Sequence, residues 1–199
     1  MDVKKANFKN LNSFIPKALK LLKTGKVIIC PTDTVYGLVA NAANEKAVKK
    51  IFKIKKREKG KPIPIFVKDI EMAKKLALIG EKQEKFLKKV WPGKVTAVLK
   101  RKKNCGLPAI LFGGKKTIGL RIPNYRLVNE LLKRLNKPLT GTSANISGKP
   151  ALTGNKEVLE QFENQKDKPD LFLDAGSLPK SFPSKVIDLT KDKIKILRK

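Results

Sequence analysis

Short apolar runs alternate along the chain with longer segments whose apolar residues recur at helical spacing. Residues 27–30 form a continuous apolar run that ends at Pro31, a pattern typical of a buried strand. Residues 44–53 instead place apolar side chains on one helical face and lysines on the other, with Asn44 as the N-terminal cap. The same patterns predict further strands at 62–67, 94–100, 117–122, 171–173, 186–189 and 194–197. They predict further helices at 13–24, 70–79, 81–90, 125–135 and 155–162.

Strands and helices are interspersed over the whole chain, which predicts an α/β domain with a mixed sheet. The three closely spaced C-terminal strands argue against a purely parallel, doubly wound fold. The length of 199 residues suffices for one domain and is short for two. No internal repeat or low-complexity linker divides the sequence, so we expect a single domain over residues 1–199.

The net charge of +29 has two competing explanations. A basic surface would suit a nucleic acid such as tRNA or double-stranded RNA, because lysine and arginine displace the counterions condensed on phosphates. However, 40 of the 46 basic residues are lysine and only 6 are arginine. An A/T-biased coding sequence would produce the same excess of lysine on every solvated face. The charge therefore leaves a functional basic surface open and specifies no RNA sequence.

The absence of histidine restricts the chemistry. It excludes Ser-His-Asp and Cys-His catalysis, a histidine general base and histidine-ligated zinc. The two cysteines, Cys30 and Cys105, lie far apart and form no metal-binding CxxC pattern. No apolar run approaches the length of a membrane span, and the N-terminus has no signal-peptide core. These features predict a reduced, cytoplasmic protein with no membrane segment.

The first polar cluster, PTDTVYGL at residues 31–38, directly follows the predicted buried strand. Its hydroxyls and carboxylate could bind an amino acid or a nucleotide, since α/β folds place ligands at strand ends. A Ser/Thr or Asx turn that reverses the chain would use the same residues. Both interpretations stand on the sequence alone.

The second cluster, KKREKGKP at residues 55–62, groups several cations beside a glycine. Such a group could clamp a polyphosphate and stabilise its developing charge. A solvated helix end, favoured by the helix dipole, explains the lysines equally well. Arg57 is more informative, because arginine is scarce in this chain and its planar fork suits bidentate contacts.

Two further clusters follow predicted strands. Arg121 lies in the otherwise apolar stretch GLRIP, where it needs either an internal carboxylate or an anionic ligand. Residues 140–148, TGTSANISG, are dense in small polar side chains that allow a backbone to approach a ligand closely. A capped turn is the alternative interpretation of that stretch.

The GGKKT sequence at residues 113–117 is not a Walker A loop. Ala109 stands where that motif needs its first glycine, and Lys116 stands where it needs serine or threonine. No carboxylate pair at helical spacing indicates a dedicated metal cage either. We therefore expect any Mg²⁺ to arrive with nucleotide phosphates.

The clusters, in this order, resemble the YrdC-like (YrdC/TsaC) family of threonylcarbamoyl-AMP synthases. The resemblance covers nearly the whole chain from about residue 27 to 198, and it is specific because six motifs occur jointly. They are PTDTVYGL (31–38), the KxR of Lys55 and Arg57 with Lys61-Pro62, WPGKVTAVL (91–99), LPAILFGGKKTIGLRIP (107–123), SAN-SG (143–148) and SKVIDL (184–189).

The resemblance implies a twisted mixed parallel/antiparallel sheet flanked by helices, with a basic concave cavity. It implies a nucleotidyltransferase that converts L-threonine, bicarbonate and ATP into threonylcarbamoyl-AMP and pyrophosphate. In this family a partner enzyme then transfers the threonylcarbamoyl group to the adenosine beside the anticodon of tRNA. Longer relatives carry a C-terminal second domain that these 199 residues do not include, so a single YrdC-like domain is expected.

The resemblance also assigns roles to individual residues. Thr34, Arg121 and Thr142 would bind L-threonine. The residues that would bind ATP are Lys55, Arg57, Ser143, Asn145, Ser184 and Arg198, of which the first four would be catalytic.

Three other functions compete with adenylate synthesis. A non-catalytic RNA-binding module would use the basic charge, although aromatic residues for base stacking make up only 6% of the chain. The related carbamoyl-transfer domain of hydrogenase maturation proteins would be joined to acylphosphatase and cysteine-rich regions, which this sequence does not contain. A dihydroxybutanone-phosphate synthase of related fold would be expected to use acidic and histidine metal ligands. The absence of histidine in this chain counts against that function.

Overall fold

The computed structural model describes residues 1–6, 13–191 and 193–199. Its α-helices are α1 (Ile15–Lys23), α2 (Glu45–Ile54), α3 (Ile70–Leu76), α4 (Glu81–Val90), α5 (Arg126–Leu135) and α6 (Asn155–Glu163). A 3₁₀ helix spans Ala109–Phe112. Every predicted helix is therefore present, with ends that shift by a few residues. Asn44 caps α2 as predicted, because its Oδ1 accepts a hydrogen bond from the Ala47 N–H at 3.0 Å.

The strands of the described residues form two mixed sheets. They are β1 (Asp2–Lys5), β2 (Ile28–Cys30), β3 (Gly37–Val39), β4 (Ile65–Phe66), β5 (Val95–Lys100), β6 (Thr117–Arg121), β7 (Leu139–Thr140), β8 (Thr142–Ser143), β9 (Leu171–Asp174), β10 (Lys185–Asp188) and β11 (Lys195–Arg198). One sheet has the order β1-β9-β2-β3-β8 and the other β11-β10-β5-β6-β4-β7. The predicted α/β class with parallel and antiparallel pairing is confirmed, with two sheets where one was expected.

Strand β2 is buried on both faces, which explains its uninterrupted apolar sequence. Ile28 and Cys30 pack into a cluster with α1 and α5, while Ile29 packs into a second cluster with α2 and α3. Burial also raises the pKa of the Cys30 thiol to about 12, so this cysteine is a packed, protonated side chain.

The structure contains short strands that the hydrophobic pattern did not predict. Strand β3 pairs antiparallel with β2, so residues 31–36 are the loop between two neighbouring strands. Strand β8 pairs with β3 within the polar stretch that was interpreted as a turn. At residues 1–6, β1 adds an edge strand along β9 although its side chains are exposed. The backbone ladder, and not apolar burial, holds β1 and β8 in place.

Candidate functional site

A cavity of about 340 Å³ opens over the six-stranded sheet, where the 31–36 loop and strand β8 meet strands β5, β6 and β10. It is lined by side chains from segments that are far apart in sequence. Seven of the nine residues assigned by the resemblance line it, namely Thr34, Arg57, Arg121, Thr142, Ser143, Ser184 and Arg198. The fold thus brings most of the predicted site residues together, while their roles stay predictions.

Lys55 and Asn145 lie behind the cavity wall. The Lys55 side chain is buried, with 1% of the residue exposed, and its Nζ donates to the carbonyl oxygens of Ser143 and Asn145, each at 2.6 Å. It also lies 3.2 Å from Asn145 Oδ1, which accepts a hydrogen bond from the Ser143 hydroxyl. Lys55 therefore fixes the loop that carries Ser143, and its contact with ATP stays a prediction.

The buried position of Lys55 lowers its pKa to about 7, with a smaller contribution from the nearby charge of Arg57. Between about pH 7 and the ordinary lysine pKa, the unfolded chain binds a proton at this site that the folded chain has lost. The folded state therefore gains stability as pH rises through that window.

We predict that the pH dependence of stability changes when Lys55 is replaced by methionine. The wild type should gain up to about 1.4 kcal/mol per pH unit relative to Lys55→Met between pH 7 and 10. Urea denaturation at a series of pH values measures this difference. Two curves that run parallel over the whole range would contradict the lowered pKa.

The 31–36 loop is held by hydrogen bonds between its own threonines. Thr32 Oγ1 donates to the Val35 carbonyl at 2.7 Å and accepts from the Thr34 N–H at 3.1 Å. The Thr34 hydroxyl lies 3.0 Å from the Thr32 hydroxyl and borders the cavity. The residues form the Ser/Thr turn that one interpretation predicts, and Thr34 also lines the cavity, so ligand binding by its hydroxyl stays a prediction.

Arg121 has three protein partners at the end of β6. Its Nη2 donates to Asp33 Oδ1 at 2.5 Å, and its Nε donates to the Gly93 carbonyl at 2.8 Å. Its Nη1 lies 3.5 Å from Thr34 Oγ1. Burial lowers the pKa of the Arg121 guanidinium and Asp33 opposes that shift. The internal carboxylate predicted as one alternative is therefore Asp33, and Arg121 still lines the cavity.

Arg57 lies at a different part of the cavity rim. Its Nη2 donates to the Pro62 carbonyl at 2.9 Å and its Nε to the Lys61 carbonyl at 3.1 Å. Burial lowers the pKa of this guanidinium too, and Glu58 partly offsets the shift. The side chain uses one edge for the backbone, so its remaining N–H groups are available to an anion.

Arg198 and Ser184 form a third polar group on β11 and at the start of β10. Arg198 donates to the Ser184 carbonyl from Nη2 at 2.7 Å and from Nε at 3.0 Å. The Ser184 hydroxyl lies 2.8 Å from the hydroxyl of Thr96, which also lines the cavity. Thr96 lies on a predicted strand but was not assigned a role, because period-2 alternation gives the two faces of a strand without saying which one meets a ligand.

Gly141 separates β7 from β8 and brings the backbone against an aromatic ring. A Cβ at this position would lie 2.6–3.0 Å from three ring atoms of Phe66, which is buried. The Phe66 ring in turn lies 5.7 Å from the guanidinium carbon of Arg121. Gly141 therefore lets the backbone approach Phe66 closely, and it also lines the cavity, where the predicted approach to a ligand stays a prediction.

We expect Gly141→Ala to destabilise the protein by about 1–3 kcal/mol, because the new methyl group overpacks the core. Gly60→Ala is the matched control, since a Cβ there meets no atom within 4 Å. Urea denaturation of both variants checks the prediction. Equal stability of the two variants would contradict the described packing of Gly141 on Phe66.

Within residues 1–6, 13–191 and 193–199, no group of three or more acidic, cysteine or histidine side chains could hold a metal ion. Among the helices of the same residues, none combines the length and apolar character needed to cross a membrane.

A family model named for Sua5, YciO and YrdC, and described as telomere recombination, matches residues 20–199. The chain belongs to this family. The expected YrdC-like membership is thereby confirmed, and it covers all elements from α1 to β11 apart from the first residues of α1.

Relatives in the Sua5/YciO/YrdC family extend the comparison. A Methanocaldococcus jannaschii protein, provisionally named threonylcarbamoyl-AMP synthase, is 42% identical over 92% of this chain and 85% of its own length. The Pyrococcus abyssi threonylcarbamoyl-AMP synthase is 37% identical over 87% of this chain and 50% of its own. The crystal structure of P. abyssi Sua5 complexed with L-threonine superimposes with a TM-score of 0.87 at 34% identity. It covers 99% of this chain and 56% of that one, so the chain spans about half the length of the Pyrococcus protein.

Proposed function

We propose that this chain is a threonylcarbamoyl-AMP synthase, and hence a nucleotidyltransferase that acts on ATP. The observation that carries the proposal is the cavity, where seven residues assigned by the resemblance meet from distant parts of the sequence. The names of its relatives and the L-threonine in the Pyrococcus structure support the same activity.

L-threonine would bind at the end of the cavity formed by Thr34, Arg121 and Thr142. Asp33, Gly93 and Thr34 engage three of the five N–H groups of Arg121. Two N–H groups remain for a carboxylate, and Asp33 fixes the plane in which they point. The threonine carboxylate suits this planar donor pair.

ATP would occupy the rest of the cavity, next to Arg57, Ser143, Ser184 and Arg198. The amine of threonine and bicarbonate form a carbamate with loss of water. A carbamate oxygen then attacks the α-phosphorus of ATP, and the bond to the β-phosphate oxygen breaks to release pyrophosphate. The protein needs to align two anions and stabilise the spreading charge, which positioned guanidinium groups do without a histidine.

The residues that line the cavity support the proposal that it is basic and concave. Arg57, Lys115, Arg121 and Arg198 contribute four cations, and the described lining residues include no carboxylate. Asp33 lies beside the cavity, but its two oxygens accept hydrogen bonds from Arg121 and from the Asn124 N–H. We therefore propose that Mg²⁺ enters on the phosphates of ATP and that the protein provides the cations around it.

The loop around Lys55 would form the remaining part of the nucleotide site. Lys55 and Asn145 lie directly behind Ser143, within one hydrogen-bonded group. Both stay proposed ATP-binding and catalytic residues, with Lys55 turning from the loop carbonyls to a phosphate when ATP is bound. A phosphate beside Nζ would favour the charged form of the lysine.

The product would serve tRNA modification in the cytoplasm. A threonylcarbamoyl-transferase partner would transfer the group to the adenosine beside the anticodon. Direct contact with tRNA or double-stranded RNA is a separate proposal, for which the net charge of +29 is the supporting feature.

Omission assays test the proposed activity. Pyrophosphate release by the purified, folded chain should require ATP, L-threonine and bicarbonate together. Omission of any one should return release to background. A folded protein that releases no pyrophosphate under any combination, yet binds tRNA tightly, would favour the RNA-binding module instead.

A further inference from the structure

The GGKKT segment leads from the 3₁₀ helix Ala109–Phe112 into β6 and reaches the cavity. Its sequence does not match a Walker A loop, and the family resemblance assigned no role to either lysine. In the structure, however, Lys115 lines the same cavity as Arg57 and Arg121. None of the ion pairs among residues 1–6, 13–191 and 193–199 includes Lys115.

One face of β6 borders the cavity just after Lys115 and Lys116. Successive side chains of a strand point to opposite faces. Thr117, Gly119 and Arg121 of β6 line the cavity, while Ile118 and Leu120 are buried in the core. Lys115 lies two residues before Thr117, outside the strand, and also lines the cavity, whereas Lys116, whose carbonyl accepts from the Arg101 N–H, does not line it.

Backbone contacts place Lys115 at the same end of the cavity as Arg57. The carbonyl of Pro62 accepts from Arg57, and the neighbouring Ile63 N–H donates to the Leu111 carbonyl at 3.0 Å. Gly113 packs so tightly on this segment that a Cβ would lie 2.4 Å from the Gly60 oxygen. Its φ of +55° also favours glycine, so the turn before Lys115 is fixed to the segment that holds Arg57.

Arg121 lies at the opposite end of this part of the cavity. It is the last residue of β6, and Thr117 at the start of the strand is about 13 Å away at 3.3 Å per residue. Asp33 and Thr34 contact Arg121, so the proposed threonine site lies at that end. Phosphoryl transfer requires the attacking and leaving oxygens to be roughly in line. Pyrophosphate must therefore leave on the side away from Arg121, toward Thr117 and Lys115.

We propose that Lys115, together with Arg57, binds the β- and γ-phosphates of ATP and the departing pyrophosphate. This inference rests on the proposed synthase function and adds a residue to its site. Arg57 gives a planar donor pair fixed to the backbone, while Lys115 gives a mobile point charge on a longer stem. Because Lys115 is exposed, its attraction to phosphate should weaken as salt is added.

The test compares Lys115→Ala with Lys116→Ala by calorimetric titration of ATP, inorganic pyrophosphate and AMP. Both lysines are exposed and adjacent, so the two variants lose the same charge from the same segment. Lys115→Ala should weaken ATP and pyrophosphate binding about five- to tenfold at low salt, and by less at high salt. AMP, which has no β- or γ-phosphate, should bind to the wild type and to both variants alike. Lys116→Ala should bind all three ligands as the wild type does.

Three results would overturn the inference. They are unchanged pyrophosphate binding in Lys115→Ala, equal losses in Lys115→Ala and Lys116→Ala, or an equal loss for AMP. Failure of the synthase proposal itself is distinguishable, since the wild type would then bind ATP or pyrophosphate without ever forming threonylcarbamoyl-AMP. Thermal denaturation of both variants should match the wild type, since neither side chain is buried.

Discussion

Replacing Arg57 by alanine is expected to reduce pyrophosphate release by about 10²–10³-fold, the usual cost of losing one preorganised donor to a developing charge. The guanidinium is anchored to the carbonyls of Lys61 and Pro62, so it faces the cavity in one orientation. Steady-state kinetics with saturating threonine and bicarbonate measure the loss. The variant should retain its fold, because the two carbonyls are close to solvent and water replaces the donor.

Lys59→Ala is the matched control for Arg57→Ala. Lys59 lies two residues away, is exposed and is absent from the cavity lining. It should keep activity within about twofold of the wild type, since a solvated lysine contributes little beyond long-range attraction. Equal and negligible effects of the two substitutions would contradict the assignment of Arg57 to the phosphates.

Replacing Asp33 by alanine is expected to destabilise the protein by about 3–5 kcal/mol, because it leaves a buried guanidinium without its counter-charge. The Asp33 and Arg121 side chains are only 8% and 3% exposed, and Asp33 also accepts the Asn124 N–H at 3.0 Å. Urea denaturation measures the loss. The affinity for L-threonine should fall as well, since Asp33 positions Arg121.

Two further variants separate the ion pair from a general effect of removing a carboxylate. Asp167 is exposed and makes none of the ion pairs among the described residues, so Asp167→Ala should change stability by less than about 0.5 kcal/mol. The double variant Asp33→Ala/Arg121→Leu removes both charges and should recover part of the stability lost in Asp33→Ala. If Asp33→Ala were as stable as Asp167→Ala, the buried pair would not hold the loop as described.

The sequence predicted the larger elements well because their burial is regular. Helices α2 and α5 have one apolar face, and β2 is apolar throughout because it is buried on both faces. The short strands were not predictable from the hydrophobic pattern. Strand β8 is only Thr142–Ser143, and its pairing with β3 depends on long-range contacts that no local pattern contains.

In the candidate site, too, local features were predictable from the sequence and long-range contacts were not. Polar residues placed at strand ends, such as Thr34 and Arg121, were found from local pattern and lie together in the cavity. The partner of Arg121 was not predictable, because Asp33 lies 88 residues away and joins it only in the folded sheet. Lys55 also has long-range contacts that its motif does not reveal. The motif predicts a phosphate contact, and the fold adds hydrogen bonds from its Nζ to the carbonyls of Ser143 and Asn145.

The sequence does not predict a phosphate contact for Lys115, because its GGKKT motif lacks the spacing of a Walker A loop. Its place at the cavity depends on Gly113, which packs against Gly60 and Pro62 ahead of β6. The charge of +29 was equally uninformative from the sequence, since it does not separate cavity cations from solvated lysines. Only the fold distinguishes Lys115 from Lys116.

Formation of the adenylate itself tests the central claim most directly. The purified chain is incubated with ATP, L-threonine and either ordinary or ¹³C-labelled bicarbonate, and the nucleotide products are resolved by mass spectrometry. The proposed function predicts a threonylcarbamoyl-AMP species that gains one mass unit with labelled bicarbonate and is lost when threonine is omitted. If ATP were instead converted only to unmodified AMP or ADP, or not consumed, by folded protein that binds ATP, the chain would not be a threonylcarbamoyl-AMP synthase.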